Sequence, residues 1–322
     1  MKNLRTYLFA ALFLGLIILT GCSKTEDPTS PEGAKNYEGI HSLQKSGNCV
    51  TPPPDLISWW PGDGNANDIV SGNNGTLQNG AAFASGMVGQ AFSFDGVNDY
   101  VSVADNVSLR AIGEITIDFW AQFNTVPRTG NFDDSMTLLE KAGNYIILWR
   151  ADGQFVTLDF TDACDGGVLG PYHLGAGAQL PTLQSGEFHH YAFTAVDGGA
   201  SGPQFRFFFD GVEQAFTPRN DPPHVGCGWF TGVTGELRLA IRAQANATTP
   251  LAFDGLIDEV EIFDRALTGD EVAAIFNAGS AGKCKKVTIC HKPGTPAQKT
   301  LVIPVQALSG HLGHGDTIGS CQ

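Results

Sequence analysis

The side chains best suited to chemistry gather in four places. Asp63, Asn65, Asn67, Asp68 and Asn73 crowd one short Gly-bearing stretch. Hard cations such as Ca²⁺ take several oxygen ligands of this kind, backbone carbonyls included. The same residue types also form turns with no ion present, and both readings stay open. Asp95-Gly96-Val97-Asn98-Asp99 is a second, weaker version of the pattern. Asp258, Glu259 and Glu261 put three carboxylates on one later segment. Trp229, in GCGWF, stands beside Cys227, while Tyr172 and His173 lie in another irregular stretch. Aromatic faces stack on sugar rings while a few polar groups fix orientation, so these three are the candidate ligand contacts. A tryptophan buried against a disulfide is the competing reading of Trp229. Last, Cys290, His291, His311, His314 and Asp316 hold ligand types sufficient for a tetrahedral Zn²⁺.

Other chemistries lack their signatures. There is no Gly-x-Ser-x-Gly elbow, and neither a Walker loop nor a dinucleotide fingerprint. His189-His190 falls inside FHHYAFTAV, a strand pattern, so one ring is expected in the core and the other in solvent.

The elements that must position these groups read as strands. ITIDFWAQF (115–123) alternates apolar with polar or small residues, and 145–150, 155–160, 188–196, 237–243 and 255–263 have similar length. QFRFFFDGVEQAF (204–216) is a hairpin, with Asp210-Gly211 supplying the two positive-φ residues of a type I′ turn. Trp59, Trp60 and Trp120 sit in strong strand patterns, so each alternating set sends at least one to the core. One short helix interrupts near the end: Thr268-Gly269-Asp270-Glu271 is a capping box, followed by the apolar face Val272, Ile275 and Phe276. Forty glycines and 21 phenylalanines among 322 residues suit many turns between aromatic strands. The expected class is all-β: a two-sheet antiparallel jelly-roll sandwich with one short C-terminal helix and a small Cys/His module behind it.

The ends say where the chain goes. Lys2 and Arg5 precede an apolar run, Tyr7–Leu19, which closes on Leu19-Thr20-Gly21-Cys22. A basic start, a short apolar run and small residues at the cut mark an export signal. The closing tetrad resembles a bacterial lipobox, which makes Cys22 the expected lipidated first residue. Ser23 follows, with no Asp, which resembles outer-membrane sorting. The expected organisation is a signal peptide (1–21), a flexible Ser/Thr/Gly/Pro-rich tether (22–48), a jelly roll (49–284) and a tail module (285–322). Without residues 1–21 the chain keeps 17 basic against 33 acidic side chains. That anionic balance repels phosphate backbones and excludes nucleic acid as a partner class.

Setting Cys22 aside leaves six cysteines, an even number suited to an oxidising compartment. Cys49 and Cys284 bracket the sandwich, Cys164 and Cys227 lie in its loops, and Cys290 and Cys321 bracket the tail. These positions favour the pairs 49–284, 164–227 and 290–321. A Cys290–Cys321 bond removes a thiolate from the zinc reading, so for the tail the disulfide is favoured and zinc through the histidines and Asp316 is the minority reading.

Four segments together carry a family resemblance: SWWPGDGNANDIVSGNNGT, AFSFDGVNDYVSV, ITIDFWAQF and FDGLIDEVEIFDRALTGDEVAAIF. They resemble the laminin-G-like jelly roll of the concanavalin A-like lectin/glucanase superfamily, over roughly 56–282. The resemblance implies one concave and one convex sheet, frequent Ca²⁺ binding, and recognition of sugars or proteins through loops and the concave face. It points to Asp68 and Asp258 as first Ca²⁺ ligands, to which the loop composition adds Asp63 and Asn73, and to a structural His-aromatic pair in the strand that holds His189 and His190. Laminarinase-like members carry E-x-D-x-x-E on one strand. Here Leu256 replaces the first carboxylate ahead of Asp258 and Glu261, leaving half a site. The tail resembles a small recurrent module of exported bacterial proteins. The sequence therefore reads as a lipid-anchored surface protein that binds glycans or surface proteins, calcium-assisted, rather than as an enzyme. A hydrolase with other carboxylates and an adhesive envelope component are the alternatives.

Overall fold

The computed structural model describes residues 45–46, 49–126, 134–151, 155–161, 174–180, 183–198, 203–220, 234–242 and 251–321. Contacts divide the chain into two units, Met1–Ile40 and His41–Gln322, and the described residues belong to the second. A short pair, β1 (Lys45–Ser46) and β2 (Cys49–Val50), enters β3 (Leu56–Trp60), β4 (Gly75–Gln78), β5 (Ala82–Ser85), β6 (Gln90–Asp95) and β7 (Tyr100–Val103). Then come β8 (Glu114–Phe123), β9 (Met136–Lys141), β10 (Tyr145–Arg150), β11 (Phe155–Phe160) and β12 (Leu174–Gln179). β13 (Phe188–Val196), β14 (Gln204–Phe209), β15 (Val212–Gln214), β16 (Thr217–Asn220), β17 (Leu237–Leu239) and β18 (Asp254–Phe263) complete the sandwich.

The strands form two antiparallel sheets. One runs β15-β14-β13-β8-β18-β6-β5, with β3 added to β18. The other runs β16-β12-β11-β10-β9-β17-β7-β4. Alternation puts Ile115, Ile117, Phe119, Ala121 and Phe123 of β8 in the shared core, against Tyr145, Ile147 and Trp149 of β10 and Val156, Leu158 and Phe160 of β11. The expected hairpin forms on Asp210 (φ 49) and Gly211 (φ 73).

The helix is α1 (Gly269–Ala278), and its capping box is present. Thr268 Oγ1 accepts from Glu271 N, while Thr268 N donates to Glu271 Oε2 at 2.9 Å. Val272 and Ile275 pack on Ala192, Phe208, Phe263 and Leu267, which lie on the face of the first sheet turned away from the core. Phe276 stacks on Trp120 at 5.7 Å. A Cβ at Gly211 would come within 2.9 Å of the Phe276 ring, so the hairpin glycine also admits the helix. The centre of the first sheet is therefore buried on both faces: Trp59, Trp60 and Trp120 are all buried.

The two ends of the sandwich are clasped. Cys49 and Cys284 form a disulfide, and Cys284 N donates to Val50 O at 2.8 Å beside it. Beyond the clasp, β19 (Lys286–His291) is the centre of a three-stranded sheet with β20 (Lys299–Pro304) and β21 (Thr317–Ile318). Its small core is Val287, Ile289, Ile303 and Leu308. A second short helix, α2 (Leu308–Gly313), lies in this tail. Cys290 pairs with Cys321. The expected 164–227 pair lies outside the described residues.

The clasp closes a loop of sequence separation 235, for which chain entropy predicts on the order of 5 kcal/mol. A Cys49→Ala/Cys284→Ala variant is expected to lose about 3–5 kcal/mol in urea denaturation. A Cys290→Ala/Cys321→Ala variant is expected to lose amide protection only over 286–318. Equal effects from both variants would contradict this division.

Candidate functional site

Under α1 the outer face of the first sheet holds charge rather than solvent. Glu259 takes φ 52, and the β18–β8 register shifts between Asp258 and Glu261. This bulge keeps Ile257 and Val260 in the core while Asp258 and Glu261 stay off it. Lys283 Nζ lies 3.3 Å from Glu261, 3.8 Å from Glu259 and 4.0 Å from Asp118. His190 Nε2 sits 2.9 Å from Asp118 Oδ2, and Trp59 Nε1 donates to Glu259 Oε2 at 3.1 Å. The Lys283, Asp118, Glu259, Glu261 and His190 side chains are at most 2 % exposed.

The electrostatics follow from that burial. Desolvation pushes Glu261 well above the usual carboxylate range, against the pull of Lys283. Desolvation also raises Glu259 to about 7 and Asp258 to about 8. Burial alone would lower Lys283, but Glu261, Asp118 and Glu259 together hold it above its usual value. The half-motif Asp258/Glu261 thus sits where no saccharide reaches it, whatever stands at Leu256. His190, expected to alternate between core and solvent with His189, packs instead against Asp118 and Trp120 beneath the helix. His189 is the half-buried partner, 2.9 Å from Asp210.

The expected calcium ligands fall into two separate sets. Asp68 Oδ1 accepts from Trp59 N and Val70 N, both at 2.9 Å. Its Oδ2 accepts from Ser71 N, Ser71 Oγ and Asn73 N. Asn73 Nδ2 reaches the hydroxyls of Ser58, Ser71 and Ser108. Asp63 and Asp258 instead pin the β5–β6 turn: Gln90 N donates to Asp63 at 3.0 Å and Val88 N to Asp258 at 2.9 Å. Lys285 pairs with Asp63. A Cβ at Gly86 would lie 2.5 Å from Asp258 Oδ2, so that turn also needs its glycine. In the weaker loop, Asp99 accepts from Gly80 N and Asp95 N. These carboxylates organise backbone, and Asp63, Asp68, Asn73 and Asp258 do not fit a shared calcium cage. Among the described residues, the one trio of His, Cys, Asp or Glu ligand atoms within 4.8 Å is His291, His311 and Asp316.

Of the four sheet faces, two form the core and α1 lies on the third. The fourth is the outer face of the second sheet, and its register carries a mixed row whose middle is buried. Across neighbouring strands run Thr76, Ser102, Arg238, Glu140, Ile146, Asp159 and Gly175, with Glu140, Ile146 and Asp159 buried. A parallel row holds Thr137, Leu148, Thr157, Gly177 and Thr217. Thr157 Oγ1 donates to Asp159 Oδ2 at 2.8 Å. Glu236 takes both Ser102 and Arg238, and the Arg238 guanidinium lies over the Tyr100 ring at 4.9 Å. Thr137 Oγ1 is buried without a hydrogen-bond partner. Leu251 packs on Ile146 and Leu148 at one part of the face. Sequence reading missed this row, although the alternation in YIILWR and FVTLDF was its signal.

Trp229, Tyr172 and His173 lie outside the described residues.

Two twisted antiparallel sheets of this topology define a jelly-roll sandwich, the class shared by lectins and many glycan-processing proteins. A family model described as the concanavalin A-like lectin/glucanases superfamily matches residues 95–273, more than half of the chain. The chain belongs to that superfamily. Among solved structures, it is similar to domain 4 of AbnA, an extracellular arabinanase from Geobacillus stearothermophilus in complex with arabinotriose. That match has 21% identity, covers 68% of this chain and 97% of that one, and gives a TM-score of 0.45. It is also similar to the binding domain of Paraclostridial Mosquitocidal Protein 1 (16% identity, 70% of this chain, 52% of that one, TM-score 0.50). A third is Trypanosoma rangeli sialidase in complex with the inhibitor DANA (14% identity, 70% of this chain, 33% of that one, TM-score 0.46). The chain thus spans about half the length of the mosquitocidal binding domain. At these identities the likeness shows the fold alone. None of the curated proteins matches the chain.

The buried carboxylates give a pH dependence with a definite sign. Asp258 and Glu259 titrate higher in the fold, at about 8 and about 7, than their ordinary values of 3.8 and 4.5. Their stabilising contribution is complete below the ordinary values and is lost as pH rises through the folded ones. Urea midpoints are expected to fall between about pH 5 and about pH 8. Asp258→Asn, which keeps an acceptor for Val88 N, is expected to flatten that slope. An unchanged slope in this variant would remove Asp258 from the account.

Proposed function

We propose that this chain is a lipid-anchored binding protein of the bacterial cell surface that recognises a glycan. The carrying observation is the two-sheet jelly roll of a chain that belongs to the concanavalin A-like lectin/glucanases superfamily. Trp229, Tyr172 and His173 are the aromatic contacts of this reading, because ring faces stack on sugars. The basic start, apolar run and Cys22 support export and lipid anchoring at the outer membrane or cell surface. The anionic balance speaks against nucleic acid. A surface protein is the competing partner. Calcium is not needed in this reading, because the expected ligands are occupied by backbone amides.

The test is retention of the full chain on a polysaccharide array and in affinity gels, with and without chelator. Retention that survives chelator is expected, weakened roughly 10-fold or more, about 1.4 kcal/mol, by Trp229→Ala. Loss of retention in chelator would restore calcium to the site. Saccharide cleavage by the purified chain would establish a hydrolase instead. Binding to surface proteins alone, or to nothing but whole cells, would shift the reading to an adhesive component.

A further inference from the structure

The tail module carries a cluster that the jelly roll does not need. His291 closes β19, His311 lies in the last turn of α2, and Asp316 immediately precedes β21. Antiparallel pairing sets Thr317 opposite Cys290, which delivers Asp316 beside His291. Gly315, at φ 86, makes the turn that brings Asp316 back toward the helix, where its N–H donates to His311 O at 3.1 Å. Asp316 Oδ2 then meets His291 Nδ1 at 2.8 Å and His311 Nδ1 at 2.6 Å. The other oxygen, Oδ1, accepts from Lys292 N at 2.9 Å. A backbone amide thus orients the carboxylate, as outer hydrogen bonds orient ligands around metals. The carboxylate is 1 % exposed, while the two imidazoles are 31 % and 27 % exposed.

From this convergence we propose that His291, His311 and Asp316 form a zinc site, with its fourth position open to solvent. The dimensions agree. In a tetrahedral shell with metal–ligand bonds near 2.1 Å, ligand atoms stand about 3.3 Å apart, so each imidazole withdraws by roughly half an ångström. Ring centroids of two such imidazoles stand about 5 Å apart, against 5.7 Å here at an interplanar angle of 83°. A divalent cation replaces the two protons that now bridge each imidazole to one oxygen. It also bonds together strand, helix and the turn before β21, in a module whose apolar core is four buried side chains. Cys290 does not compete, because its sulfur is bonded to Cys321. His314 caps α2 through its backbone and lies outside the trio.

The probe is Zn²⁺ alone, titrated into the full chain with both described disulfides intact, by calorimetry and by competition with a chromophoric chelator. One ion per chain is expected. His291→Ala and His311→Ala are each expected to weaken binding at least roughly 100-fold, beyond what loss of an outer hydrogen bond produces. In the unaltered chain, zinc is expected to shift imidazole resonances of two histidines and to slow amide exchange over 286–318. These readouts do not depend on a variant folding. No zinc uptake by the unaltered chain would overturn the proposal, and so would unchanged affinity in the His291→Ala/His311→Ala double variant. These outcomes are independent of glycan retention, so the two readings fail separately.

Discussion

One ammonium group, Lys283, sits within 4.0 Å of three buried carboxylates, and the sandwich is arranged around that fact. Removing ions from water costs several kcal/mol each, and a pair recovers it only with close partners. Here one cation faces Asp118, Glu259 and Glu261, so charge alone cannot balance. The excess is absorbed by protonation: burial holds Glu261 above the carboxylate range and brings Glu259 to about 7. Lys283 itself is delivered by its neighbour. Cys284 is bonded to Cys49, and Cys284 N to Val50 O, so the clasp fixes the residue that neutralises the strand pair β8–β18. Clasp and charge cluster therefore support each other.

This constraint also decides where function cannot reside. The strand that in laminarinase-like members would carry catalytic carboxylates is here committed to Lys283, and its Asp258, Glu259 and Glu261 are buried. The far edge of the same sheet differs: Arg206 and Glu213 pair there at 2.7 Å with their side chains exposed.

Much of the frame is legible in the residues. The capping box at Thr268, the Asp210-Gly211 hairpin and the Cys49–Cys284 clasp depend on local geometry or on chain ends that must meet, and residue types alone express such features. What was not legible depends on which neighbour covers a face. Strand alternation says that Asp118 and Trp120 leave the core. It cannot say that α1 waits on the other side. The bulge at Glu259 is worse placed for prediction, because one inserted residue resets which face every later side chain takes. The Asp63–Asn73 stretch reads two ways for a different reason. Oxygen ligands for a cation and acceptors for turn amides are the same atoms, and only the hydrogen-bond partners of Asp68 separate the two.

In the tail the favoured disulfide forms, and the fold leaves the histidines outside it. Cys290 and His291 are sequence neighbours, and neighbours on a strand point to opposite faces. Cys290 is buried and bonded to Cys321, while His291 stands half-exposed beside Asp316. A disulfide on one face of β19 therefore leaves the other face free to gather imidazoles. For so small a core, that division has a physical motive. The disulfide restrains the unfolded chain, whereas the His291–Asp316–His311 contact ties together the folded elements that the disulfide does not touch, the end of α2 and the turn before β21.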